Sequence, residues 1–243
     1  MADANQSENG TESPLRVTTD IQLDHKLDAL RRRLIREAAR ATDLLKRSFE
    51  VLLNSSDEGV QEIRDIEREI DAEEVKIEEE CFRILALQQP FGSDFRMLTF
   101  CLKVNSDIER LADHASSMAK ISRKLKEDEL HWPPALTEMM QRIPVMCEEL
   151  MRSVIHADTD AARDVVARDK IIDRLDKQTF KELAEIIEKQ PEDASKYMLM
   201  YRISREIERV GDLLGNIAED VVYLVTGEIV RHENSGNKKQ GPS

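Results

Sequence analysis

Acidic residues four positions apart recur along the chain, and two such pairs lie in nearly the same phrase. Residues 106–113 read SDIERLAD and residues 205–212 read REIERVGD, so Glu109 and Asp113 are matched 99 positions later by acids at 208 and 212. Residues four apart are neighbours on a helix face, where two like charges cost about 0.2–0.5 kcal/mol. Arg110 and Arg209, three residues before the second acid of each pair, would offset part of that repulsion, and a bound cation is the other candidate.

A second set of acid pairs precedes the first set in each half of the chain. Glu67 and Asp71 lie 102 positions before Asp169 and Asp173. A short deletion near a proline turn in the second copy explains why the offset then falls to 99. The pairs predict one metal-binding face in each half. The candidate ligands are Glu67, Asp71, Glu109 and Asp113 in the first copy, with Asp169, Asp173, Glu208 and Asp212 in the second.

Sites built from carboxylates favour hard or borderline ions such as Mg²⁺, Mn²⁺, Ca²⁺ or iron. His114, beside Asp113, offers a nitrogen ligand to the first copy. The equivalent residue in the second copy is Leu213, which has no such ligand. Ferritin-like di-iron enzymes need a glutamate three residues before a histidine on two helices, and no histidine here has one. The chain also lacks a glycine-rich phosphate loop.

We therefore expect a protein that is not an enzyme. Two other hypotheses stay open at this point. One is a carboxylate-bridged metalloenzyme or metal-storage bundle, and the other is a helical interaction module whose acids serve only solubility.

Composition narrows the class of protein. Asp and Glu outnumber Lys and Arg by 49 to 36, for a net charge of −13, which argues against nucleic acid as a partner. Only 8 glycines, 7 prolines and 4% aromatic residues accompany 35% charged residues, as in proteins built from long helices. Three scattered cysteines in apolar settings indicate a reducing compartment. Without a signal peptide or membrane-spanning run, a cytoplasmic location is expected.

Helix signals divide the chain into two similar halves. Apolar residues recur at helical spacing over residues 23–49, a cap at Ser56-Asp57 opens a second helix, and Gln89-Pro90 ends it. A third helix follows, and the layout then repeats with Gln190-Pro191 before a last helix that we predict from Glu192. The fold class predicted is all-α, with two tandem, internally repeated antiparallel three-helix bundles.

The predicted domain boundaries follow from this layout. Residues 1–18 and 232–243 are predicted to be disordered tails, because they hold too little apolar surface to order. Residues 19–127 are predicted to form the first repeat and residues 128–231 the second.

The phrases DIERLADHA at 107–115 and EIERVGDLLGNIAE at 206–219 resemble those of the PhoU family of bacterial phosphate-signalling regulators. Residues 85–96 are similar to the family's turn before its third helix, and residues 225–232 to its C-terminal ending. The resemblance covers about residues 20–232, in order and in both repeats.

The resemblance implies two PhoU-like three-helix bundles with multinuclear metal clusters on Glu/Asp-x-x-x-Asp motifs, which carry over to the eight acids named above. Iron, zinc, magnesium and manganese are the candidate metals. It also implies a homodimeric cytoplasmic adaptor, peripheral to the membrane through its partners only. The implied partners are the ATPase subunit of the phosphate ABC transporter and the phosphate-sensing histidine kinase, and the implied role is negative regulation of phosphate uptake and of the phosphate regulon.

Three positions depart from the family pattern. Ala112 replaces the glycine expected in the first motif, Ser117 replaces its asparagine, and Leu213 replaces the histidine of the second motif. We therefore expect the two clusters to differ.

Overall fold

A computed structural model describes residues 14–54, 56–125 and 131–228. Within these residues the chain forms six long helices and one short 3₁₀ turn, and no strand occurs among them. The elements are α1 (Pro14–Asn54), α2 (Asp57–Gln88), α3 (Gly92–Ser122), α4 (Pro134–His156), α5 (Thr159–Lys189), a 3₁₀ turn (Pro191–Asp193) and α6 (Ala194–Thr226). The predicted all-α class is confirmed.

The helix ends lie where the capping residues allow them. The Ser56 hydroxyl accepts a hydrogen bond from the Gly59 amide at 3.0 Å, and the Asp158 carboxylate caps α5 in the same way. Gln89 takes a left-handed conformation, with φ of 46°, just before Pro90. Three residues join α2 to α3, whereas Gln190 alone joins α5 to the 3₁₀ turn. By the offset of 99, the 3₁₀ turn corresponds to residues 92–94 at the start of α3. The connection before it is two residues shorter in the second repeat, which accounts for two of the three positions lost from the offset.

Each repeat is a three-helix bundle, with α1, α2 and α3 packed together in the first and α4, α5 and α6 in the second. The two bundles share one apolar core, because α3 packs against α6 and α1 packs against α4. Side-chain contacts show that α3 and α6 run antiparallel: His114 meets Glu206, and Lys103 meets Asp220. No helix in the described parts of the chain has both the length and the apolarity to cross a membrane.

Two predicted boundaries differ from the structure. Helix α1 begins at Pro14, so residues 14–18, which we placed in the N-terminal tail, are helical. Proline favours the first turn of a helix, where its missing N–H has no intrahelical partner. The last helix begins at Ala194 rather than at 192, because Pro191 opens a 3₁₀ turn ahead of it.

The other predicted boundaries cannot be compared directly. The rest of the N-terminal tail, the C-terminal tail at 232–243 and the predicted boundary at 127/128 lie outside the described residues.

Two adjacent leucines near the end of α1 test the packing of the first bundle. Leu52 is 2% exposed and Leu53 is 61% exposed. We expect Leu52→Ala to lower the free energy of unfolding by about 2–5 kcal/mol, since it removes buried methyl groups and leaves a cavity. Leu53→Ala, the matched control, should change it by less than about 0.5 kcal/mol. Urea unfolding followed by far-ultraviolet circular dichroism measures both, and equal losses would contradict this packing.

Candidate metal centres

Three carboxylates converge in the second repeat. Asp169 and Asp173 lie on successive turns of α5, and Asp212 faces them from α6. One oxygen from each lies within 4.8 Å of the other two. Three converging oxygens make a partial coordination shell for a hard cation.

Asp169 occupies space that two glycines of α6 leave open. A Cβ atom at Gly211 would stand 3.2 Å from Asp169 Oδ1, and one at Gly215 would stand 3.7 Å from Asp169 Cβ. Asp169 Oδ1 is buried there and has no hydrogen-bond partner among the described residues. An unpartnered buried carboxylate oxygen is costly, so the donor set fits a bound cation.

Burial and repulsion between carboxylates raise the pKa of two of these acids. Burial, then the charges of Asp212, Asp173, Glu208 and Glu219, raise the pKa of Asp169 to about 7. Burial and the charge of Asp173 also raise the pKa of Asp212. A cation would favour the ionised forms and would release protons on binding.

An arginine closes the other end of this cluster. Arg205 Nη1 lies 2.9 Å from Asp176 Oδ2, and Nη2 lies 3.1 Å from Glu208 Oε2. The Ser204 hydroxyl donates a 2.8 Å hydrogen bond to Asp176 Oδ1. Glu208, a predicted ligand, is thus shared between the arginine and the three converging aspartates. Neither Asp176 nor Arg205 was identified from the sequence.

The four acids predicted in the first repeat also lie together. Burial and a hydrogen bond with Asp113 raise the pKa of Glu67. Burial, then the charges of Asp113 and Asp71, raise the pKa of Glu109 to about 7. The predicted pairs on α2 and α3 therefore face each other.

Two further residues belong to the first cluster. The charge of Glu74 raises the pKa of Glu109, and the charge of Lys120 lowers the pKa of Glu67. Repeat arithmetic could have found both, because Glu74 lies 102 positions before Asp176 and Lys120 lies 99 before Glu219. The search for acids four apart missed them because Glu74 and Lys120 lie seven positions after Glu67 and Asp113, and because Lys120 is not an acid.

His114 lies at the contact between the repeats. Its Nδ1 is 2.7 Å from Glu206 Oε2 on α6. This hydrogen bond with His114 is the largest cause of the lowered pKa of Glu206. His114, which we considered as a nitrogen ligand, therefore contacts α6 through Nδ1.

Comparison with known proteins identifies the family. The family model for the PhoU domain matches the chain twice, at residues 34–122 and 136–221. The chain belongs to the PhoU family. Both matched segments contain the acid pairs of their repeat, so each candidate cluster lies inside a PhoU domain.

Relatives cover most of the chain. A PhoU homologue of Deinococcus radiodurans, named a phosphate-specific transport system accessory protein, is 36% identical over 185 residues, 76% of this chain and 87% of its own. A homologue from Pseudomonas aeruginosa with the same name is 32% identical over 214 residues, 87% of this chain and 88% of its own.

Solved PhoU structures share the fold. The crystal structure of PhoU from Pseudomonas aeruginosa superposes with a TM-score of 0.81 at 29% identity, covering 84% of this chain and 99% of that one. The phosphate transport system regulatory protein PhoU from Streptococcus pneumoniae gives a TM-score of 0.77 at 27% identity, covering 86% and 99%. The predicted PhoU-like fold is confirmed.

The raised pKa values predict how stability depends on pH in the metal-free protein. Asp169 and Glu109 hold protons more tightly folded than unfolded, since both pKa values lie near 7 against ordinary values of 3.8 and 4.5. Their contribution is full below the unfolded pKa and is lost as pH rises through the folded pKa. We expect chelator-treated protein to lose stability between about pH 4 and pH 8 from these groups.

Asp169→Asn should flatten this loss, while Asp28→Asn, on an exposed part of α1, should leave it unchanged. Urea unfolding across this pH range measures the slope for each variant. A slope unaffected by Asp169→Asn would contradict the raised pKa.

Proposed function

We propose that this chain is a cytoplasmic, metal-binding regulatory adaptor of phosphate homeostasis. Membership of the PhoU family supports the phosphate-related role, and relatives are named as accessory proteins of phosphate-specific transport. The observation that carries the metal-binding part is the unpartnered Asp169 Oδ1, buried where three carboxylates converge.

In the second repeat, Asp169, Asp173 and Asp212 would hold the metal, with Glu208 at the edge of the site. Because the three aspartates lie on both α5 and α6, the metal's positive charge would join the two helices and relieve the repulsion between them.

In the first repeat, Glu67 and Asp71 on α2 would act with Glu109 and Asp113 on α3. An all-carboxylate donor set accepts magnesium, manganese or iron, and it also accepts zinc with lower preference.

The proposed role is non-catalytic. Cys81, Cys101 and Cys147 are all buried and free, so no thiol among them is exposed to attack a substrate. The chain would instead act by contact, linking the ATPase subunit of the phosphate ABC transporter to the phosphate-sensing histidine kinase and repressing uptake and the regulon. It would do so as a homodimer, reaching the membrane only through these partners and binding no nucleic acid.

Metal content tests the first part of this proposal. After dialysis against a mild chelator, elemental analysis should find metal in the wild type, and Asp173→Ala and Asp71→Ala should each reduce it because each removes a ligand. The metal-dependent rise in melting temperature should shrink in parallel. Glu188→Ala, an exposed acid of α5 outside the cluster, is the matched control. A wild type without metal above background would instead favour an unliganded interaction module.

Partner binding tests the second part. Purified full-length protein should bind the transporter ATPase or the sensor kinase in a titration followed by interferometry. Failure to bind either would reject the adaptor role. Turnover of phosphate esters that is lost in Asp113→Ala and Asp212→Ala would replace the adaptor with a carboxylate-bridged metalloenzyme.

A further inference from the structure

We propose that the outer face of α5 docks an acidic helix of a protein partner. Five cations form a row along this face, the basic row: Arg163, Lys170, Arg174, Lys177 and Lys181. All five are exposed, whereas Asp169 and Asp173 on the same helix face Asp212 on α6. The basic row therefore lies on a different side of α5 from the acidic cluster. The inference goes beyond the proposed metal binding and does not depend on it.

The spacing places the basic row on one side of the helix. Successive members lie seven, four, three and four positions apart, and such steps return to the same face of an α-helix. The row is about 27 Å long. Asp164 is the one exposed acid of α5 between its ends, and it lies about 100° around the helix from Arg163. No member forms an ion pair with another described residue, so the row presents uncompensated positive charge.

Helices α1 and α2 show what a row of cations contacts elsewhere in this protein. Arg33 and Arg40 lie seven positions apart on α1. Arg33 Nη2 lies 2.7 Å from Glu73 Oε1, and Arg40 pairs with Glu69. The two acids lie four positions apart on α2, which runs antiparallel to α1, so an acidic helix neutralises the arginines of its neighbour. The described parts of the chain supply no such helix to the exposed basic row of α5.

The basic row is confined to the second repeat. By the repeat offset of 102, the equivalent positions of α2 carry a single cation among five residues: Gln61, Arg68, Ala72, Val75 and Glu79. The two helices hold the same place in their bundles, so the fold itself does not require the cations. A row that one repeat has and the other lacks indicates a contact made by the second repeat alone.

Exposed apolar side chains lie beside the C-terminal end of the basic row. Phe180, next to Lys181 in the sequence, is 54% exposed, and its ring meets the Tyr201 ring of α6 edge-on at a centroid distance of 5.3 Å. Met198, about one turn before Tyr201, is 53% exposed. Exposed aromatic and methionine side chains are typical of protein interfaces. They favour a partner that offers carboxylates along its length and an apolar side chain at one end.

The charge of the whole chain favours a protein partner over a polyanion. A net charge of −13 opposes approach to nucleic acid or to an anionic membrane, because their negative charge extends well beyond the basic row. A helix of about 20 residues matches the length of the row. Carboxylates three and four positions apart on that helix would meet the cations as Glu69 and Glu73 meet the arginines of α1.

A synthetic peptide tests this inference on the full-length protein. The probe is an alanine-based helix of about 20 residues with glutamates at the spacing of the basic row. The control peptide has the same composition, with its glutamates spread around the helix. Fluorescence anisotropy should show saturable binding of the probe and weaker binding of the control. The double variant Lys170→Glu, Lys177→Glu should weaken binding of the probe by about tenfold or more, because it reverses two charges at the contact.

The matched control is the double variant Arg32→Glu, Arg152→Glu, which reverses two exposed cations on α1 and α4 and should leave binding unchanged. Circular dichroism melts show whether each variant folds. Should the double reversal on α5 fail to fold, Lys170→Gln with Lys177→Gln takes its place, with a smaller loss expected.

Three results would overturn the inference. The probe could fail to bind, the two peptides could bind equally, or the reversal on α5 could leave binding unchanged. Vesicles of phosphatidylglycerol and phosphatidylcholine, or a DNA duplex, that bind more tightly than the probe and lose binding in the same variant would also overturn it, in favour of a polyanion. None of these measurements involves metal content, so each result leaves the proposed metal binding intact.

Discussion

Repulsion among crowded carboxylates is the constraint that each bundle has to withstand. Four predicted acids and Glu74 meet on the facing sides of α2 and α3, and four predicted acids meet Asp176 and Glu219 between α5 and α6. An isolated helix pair carrying these charges would separate. The bundles hold them together because the same helices bury apolar side chains beside the acids, as Ile63 and Ile70 do on α2 and Ile172 does on α5. The apolar core therefore makes the acidic clusters possible.

Helices α3 and α6 connect the clusters to the rest of the molecule. Each supplies acids to its own cluster and also packs against the other helix at the junction of the repeats. Their sequences serve both contacts, so that Asp113 belongs to the first cluster while its neighbour His114 reaches Glu206 across the junction. A change in charge at either cluster therefore acts on a helix that also contacts the other repeat.

The sequence predicted the fold and the eight acids because both depend on local signals. Caps such as Ser56 and Asp158 and the repeated acid pairs are read along one helix at a time. Arg205, Lys120 and Glu219 were missed because their importance depends on how one helix is rotated against its neighbour. The fit of Asp169 against Gly211 also depends on how α5 is rotated against α6. The sequence had already indicated that the copies differ, because Ala112 stands at the position equivalent to Gly211. The early start of α1 at Pro14 was missed because the surrounding polar residues suggested a tail.

The antiparallel contact between α3 and α6 resembles the interface of a two-fold dimer, but its two sides have diverged. The repeat offset of 99 relates His114 to Leu213 and Asp107 to Glu206. Two-fold symmetry would therefore place Asp107 opposite Leu213, as Glu206 lies opposite His114. A second repeat packed against another second repeat would place Glu206 opposite Leu213, leaving a half-buried carboxylate without its histidine. The junction thus distinguishes the two repeats from each other, and it favours a first repeat joined to a second over two copies of the second.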